Sequence, residues 1–235
     1  MKTPNPIHHS RRAGLTLIEL IVIIAVIVML ALFSLPTHTH GGKKGRQTDS
    51  LNNAKQITLA LRMYADDNGG KFPSIRTDGT SLVPSDPSNR AFEHLIPKNS
   101  FSKKIFANKV SAWCRNPVID TAATDSSTLK QGQNDWNYVA GLSINSDPRW
   151  PLIATATASA ANLTYSNVMT AKGGVWGGTA SIIGFADGSA RLLSDGDMNL
   201  TDKTKTFPKR PDNGASIFTA TEDWLGIGRV ILAPE

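Results

Sequence analysis

Cysteine occurs once, at Cys114, so no disulfide can form within the chain and the fold has to rest on its buried core. Histidine is nearly as sparse. His8 and His9 precede a long apolar run, His38 and His40 lie in a Gly/Lys-rich stretch, and His94 stands alone in the body of the chain. A Ser-His-Asp or Cys-His device would have to use His94, yet "FEHLIP" around it resembles neither a nucleophile elbow nor a catalytic loop. Glycine-rich phosphate loops and zinc-type cysteine clusters are also missing. The sequence therefore predicts a protein that is not an enzyme and carries no resident cofactor.

Acidic residues are absent from the first fourteen positions, which hold Lys2, Arg11 and Arg12. Those three account for half of the net charge of +6, leaving 22 basic against 19 acidic side chains in the remainder. Lys43-Lys44, Lys103-Lys104 and Lys209-Arg210 are scattered pairs without neighbouring aromatics, so they read as solvated surface and no nucleic-acid partner is expected.

What the chain does have is a run of fourteen apolar residues from Leu20 to Phe33. Taken from Leu15 to Leu35, it would form a helix of roughly 31 Å at about 1.5 Å per residue, enough to cross a bilayer. The basic residues ahead of it place the N-terminus in the cytoplasm and the bulk of the chain outside. The run is longer than the core of a secretory signal and ends in Ser34-Leu35-Pro36 without an A-x-A site, which predicts a retained anchor. Glu19 sits inside this run. A carboxylate at a bilayer centre costs about 2.5–3.5 kcal/mol, and such a group ordinarily has a cationic partner.

Arg11-Arg12-Ala13-Gly14 followed by "LTLIEL" and the apolar run resembles the leader of type IV pilins and type II secretion pseudopilins. The resemblance implies that prepilin peptidase cuts between Gly14 and Leu15 and that Leu15 is then N-methylated. It further implies that Glu19 pairs with the freed amino group of a neighbouring subunit during assembly. Pro36 matches a proline that the family often carries at this distance from the cut. "LNNAKQITLALRMYADDNGGKFP" is similar to a pseudopilin group common in planctomycete and verrucomicrobial bacteria, in which a cysteine often stands where this chain has Ser50. That group also usually has a histidine where this chain has Gly177.

The expected organisation is a leader over 1–14, a transmembrane or filament-core helix over 15–36, a linker over 37–47 and a globular domain over 48–235. The paired glycines Gly41-Gly42 and the kink at Pro36 predict a break there. Within the domain, Leu51, Ala54, Ile57, Leu61 and Tyr64 fall on one stripe of a helix over 48–68, capped by Thr48, Asp49 or Ser50 and ended by Gly69. Residues 73–134 read as an irregular insertion, and 135–195 as an antiparallel sheet containing "DWNYVAGLSI", "WPLIATATA" and a hairpin turned at Asp187-Gly188 in type I′ geometry. The fold class expected is α+β and pilin-like, with a long hydrophobic N-terminal helix, broken near 36–46, packed on a C-terminal antiparallel sheet.

"SDGDMNLTD" aligns the oxygen-bearing Asp195, Asp197, Asn199 and Asp202 at spacings that calcium accepts, although Leu200 and Thr206 stand where an EF-hand requires glycine and glutamate. Calcium is thus a candidate ligand there. The function implied is a structural subunit of a type II secretion pseudopilus or type IV pilus. It would sit in the inner membrane as a single-pass protein with its domain periplasmic, and in an extracellular filament after assembly. Its partners would be prepilin peptidase, other pilin or pseudopilin subunits, membrane lipid, and an inner-membrane assembly platform with its ATPase. The alternative is a membrane-anchored surface module that binds a ligand such as polysaccharide, for which Trp150 and Trp176 would need to share an exposed face.

Overall fold

The computed structural model describes residues 16–33, 38–96, 102–114, 128–158, 164–194, 198–199, 206–208, 217–218, 225 and 229–235. The chain divides into two compact units, Met1–Gly42 and Lys43–Glu235. The described residues contain helices α1 (Leu17–Phe33), α2 (His38–Asp67) and α3 (Ser88–Phe92), a 3-10 turn (Lys103–Ile105) and seven strands. The strands are β1 (Trp136–Ala140), β2 (Pro151–Thr155), β3 (Ala180–Phe185), β4 (Ala190–Ser194), β5 (Met198–Asn199), β6 (Thr206–Pro208) and β7 (Val230–Leu232).

Two expectations are overturned here. No helix among the described residues is long and apolar enough to cross a membrane. Helix α1 has 17 residues, about 25 Å at 1.5 Å per residue, short of a hydrocarbon core of about 30 Å. The single-pass inner-membrane placement, and the long membrane-type N-terminal helix in the expected fold class, are corrected accordingly. The break expected near 36–46 is not seen at 38–46, where α2 runs through Gly41, Gly42 and Gly45. Extending a helix from a body already formed adds one hydrogen bond for each residue fixed, and this offsets the glycine cost. The α+β class itself stands.

Within the larger unit, β1 to β4 and β7 form one sheet in the order β4-β3-β2-β1-β7. Every neighbouring pair is antiparallel, with Trp136 opposite Thr155, Tyr138 opposite Leu232, and Ile183 opposite both Ala154 and Arg191. The pair β5–β6 stands apart. All residues of β1 and β2 are buried, so these strands read in sequence as continuous runs without polar alternation. β4, at the edge, is mostly exposed and carries the polar Arg191 and Ser194.

Helix α2 buries the stripe expected of it: Ala54, Ile57, Leu61 and Tyr64 join the core and Leu51 packs against it. It approaches the sheet closely at Gly184. A Cβ there would lie 2.4 Å from Thr58 Cγ2 and 2.7 Å from Ile153 Cγ1. Two polar contacts fix the same crossing: Arg62 Nη1 donates to Ala186 O at 2.9 Å, and Thr58 Oγ1 lies 3.1 Å from Gly188 O. The β3–β4 hairpin is thus held against the helix by its turn.

That turn is where sequence predicts it, with a different geometry. Gly188 has φ +86°, whereas Asp187 is not in the positive-φ region. The Gly188 N–H donates to Phe185 O at 2.9 Å, and the Phe185 N–H donates to Ser189 O at 2.8 Å. This is a three-residue loop, a type I turn closed by a left-handed glycine, which needs only one positive φ instead of the two of type I′.

Replacing Gly184 by alanine is expected to cost about 1–3 kcal/mol, because neither Thr58 nor Ile153 can swing its branched side chain aside in a packed interface. Gly45→Ala in the same helix meets nothing within 4 Å and should instead stabilise by up to about 1 kcal/mol. Urea midpoints of the two variants should therefore move in opposite directions. Equal small shifts would show that α2 does not press on β3.

Candidate functional site

The most distinctive local chemistry belongs to the start of α1, in the smaller unit. Thr16 precedes the helix, and its backbone N–H and its Oγ1 both reach Glu19 Oε2 at 2.8 Å. In return the Glu19 N–H reaches Thr16 Oγ1 at 3.4 Å. This is a reciprocal capping box, Thr-Leu-Ile-Glu, in which each side chain satisfies a backbone donor that the first helical turn leaves unpaired. The backbone bond from Thr16, and then its hydroxyl, hold the Glu19 carboxyl below its ordinary value, so it stays ionised at neutral pH. Its negative charge also sits at the positive end of the helix dipole.

Glu19 therefore already has partners within its own chain. The signal for Thr16 lies in the sequence itself: a threonine three positions ahead of a glutamate and before an apolar run marks a helix start. Gly14 and Leu15 lie outside the described residues.

Beyond this cap, α1 is apolar on every side. Each residue from Leu17 to Leu30 is exposed, Leu17 at 77% and Leu30 at 63%. A helix hydrophobic all round is one that something else covers. The structure thus brings together a satisfied helix start and a fully apolar shaft, spanning Thr16 to Phe33.

Other residues marked by the sequence are placed differently. Asn199 lies in β5 beside Thr206 of β6, while Asp195, Asp197 and Asp202 lie outside the described residues. Among the described residues no group of three His, Cys, Asp or Glu side chains could hold a metal ion. His94 Nε2 lies 2.7 Å from Ile75 O, so that nitrogen carries the proton, and the ring leans on Tyr64 with centroids 5.5 Å apart. It holds the 75–82 loop to α2.

Cys114 is buried and its Sγ donates to Gly132 O at 3.1 Å. Burial, with the Asp135 carboxyl nearby, pushes its thiol up to about 12, which keeps it protonated and unreactive. Of the tryptophans, Trp136 and Trp176 are buried, and Trp150 is half-buried against the core with its indole nitrogen shielded. Trp150 and Trp176 do not form an exposed aromatic platform, and Trp224 lies outside the described residues.

No family model, curated protein or solved structure matches this chain.

Proposed function

We propose that the chain is a structural subunit of a filament of the type II secretion pseudopilus or type IV pilus kind, cut by prepilin peptidase between Gly14 and Leu15 and assembled through α1. The observation that carries this reading is the exposed apolar shaft of α1 from Leu20 to Leu30. Removing one such side chain from water contributes about 1.5–3 kcal/mol, and a whole shaft of them drives association strongly. The shaft finds its cover in the same helix of other copies, where apolar surfaces meet apolar surfaces.

The capping box fits this role. Insertion of a helix start into a dry bundle requires its backbone donors to be satisfied in advance, and Thr16 and Glu19 do that within one subunit. Both residues lie beyond the Gly14-Leu15 bond, so a chain beginning at Leu15 keeps the cap. Its new ammonium group would lie next to an ionised Glu19, on its own subunit or a neighbour. The burial of Trp176 supports a structural subunit over a polysaccharide-binding module.

Peptide mass spectrometry of the N-terminus, on protein taken from its native cells, tests the processing step. A chain starting at Leu15, with or without an added methyl group, is the expected result. A chain still starting at Met1 would refute it.

A further inference from the structure

We propose that the exposed face of α2 docks against the same face of a second copy of this chain, the two helices lying antiparallel. The inference stands apart from the filament reading, which rests on α1, because this face belongs to residues 52–67 of the Lys43–Glu235 unit.

Ala54, Ile57, Leu61 and Tyr64 turn inward, whereas Asn52, Lys55, Gln56, Leu59, Met63 and Asp66 are exposed. At about 100° per residue, Leu59 and Met63 fall within about 20° of one line down the outer face. They are 54% and 42% exposed. One exposed apolar residue on a helix is ordinary. Two of them, one turn apart at the centre of an otherwise polar stripe, have the layout of a protein interface, apolar in the middle and polar at the margin.

The charges around this pair select the partner. Lys55 and Asp66 lie on one flank, about 40–60° from the line, and Gln56 and Asp67 lie about as far out on the other. Leu59 and Met63 stand two residues before and after Leu61, while Lys55 stands six before it and Asp66 five after. A twofold axis in the plane of contact, crossing α2 at Leu61, reverses the helix and keeps each flank on its own side. It sets Leu59 against the partner's Met63, and Lys55 against the partner's Asp66 to within about 1.5 Å along the helix. Gln56 faces the partner's Asp67 in the same way, and each contact is made twice. Parallel helices would instead set Lys55 against Lys55 and Asp66 against Asp66, which like-charge repulsion opposes. The face is thus complementary to itself in one direction only.

Among the described residues neither Lys55 nor Asp66 takes part in a salt bridge. Arg62, the other charge near the axis, is held toward the β3–β4 turn by donating from Nη1 to Ala186 O at 2.9 Å. A twofold contact occupies the same face on both copies, so it makes closed pairs and not open chains.

The test is sedimentation velocity on the full-length chain in dodecyl maltoside micelles, which cover α1. At millimolar concentration the natural chain should run as a pair. Lys55→Asp and Asp66→Lys each bring like charges together at both ends of the contact, and each should weaken pairing at least about tenfold. Mixed in equal amounts, the two variants should pair with one another, because each then meets opposite charge at both ends. The double variant should pair with itself. Both positions are exposed, and near-UV circular dichroism checks that each variant is folded. A natural chain that stays monomeric, pairing that survives either single substitution, or a mixture no better paired than its components would each overturn the inference.

Discussion

On the proposed filament role, a chain carrying Ile24→Asp is expected to fail to form filaments, while its sheet-bearing unit folds as before. Ile24 lies near the middle of α1 and is 52% exposed in the single chain. The substitution costs an isolated subunit little, because the new carboxylate meets water. In a bundle of such helices the same carboxylate is buried among leucines and isoleucines. An unpaired ionised carboxylate in that setting costs many kcal/mol, or is neutralised at a cost of several. Electron microscopy of the assembled material reads the effect, and mass spectrometry of the N-terminus separates an assembly defect from a processing defect. Filaments of normal abundance from the variant would show that α1 is not their core.

The second large effect is on stability and concerns Asp135. This residue is 1% exposed; its Oδ1 lies 3.4 Å from Ser111 Oγ and its Oδ2 has no partner. Burial pushes its carboxyl up to about 8, and the Ser111 hydroxyl and the Lys172 charge pull it only part of the way back. An aspartate in the unfolded chain titrates near 4. Below that pH both states hold the proton and the group costs nothing. Between about 4 and 8 the unfolded chain releases its proton while the folded chain retains it, so stability falls as pH rises. Above about 8 the whole difference is lost, on the order of 5 kcal/mol at about 1.4 kcal/mol per pKa unit.

Asp135→Asn keeps the acceptor for Ser111 and removes the ionisation. The variant should match the natural chain near pH 4 and exceed it by several kcal/mol near pH 9, a gap that urea unfolding at the two values measures directly. A gap independent of pH would mean that Asp135 ionises freely in the folded protein.

How legible these features were depends on where their determinants lie. The stripe of α2 and the hairpin β3–β4 are set by residues close in sequence, and periodicity and Asp187-Gly188 located them correctly. The turn type was not legible, because one positive φ or two depends on how the loop meets Arg62 and Thr58 of α2. The Thr16–Glu19 cap was legible in principle, since its spacing is local, but the glutamate invited a search for a partner farther away. β7 was missed because three residues, Val230 to Leu232, are too few to show a period; they form a strand only through pairing with β1. The hydrogen bond from Ser50 to Asn108 was hidden for a different reason: the two residues are 58 positions apart, so nothing local in the sequence signals their contact.

The placement of β7 bears on how the protein is made. Four strands of the sheet follow one another in sequence as a meander, and can pair as they leave the ribosome. β1 cannot complete its outer edge until Val230 to Leu232 arrive, far along the chain. The neighbouring residues add to the same closure: the Ser88 N–H donates to Ala233 O at 2.9 Å and the Gly132 N–H to Glu235 O at 2.8 Å. Such long-range pairing is slow, and an open strand edge is prone to pair with another chain while it waits. A nascent chain therefore carries an adhesive edge until synthesis has passed residue 235. Translation stalled before Val230 would release a product with β1 uncapped, suited to aggregation or proteolysis.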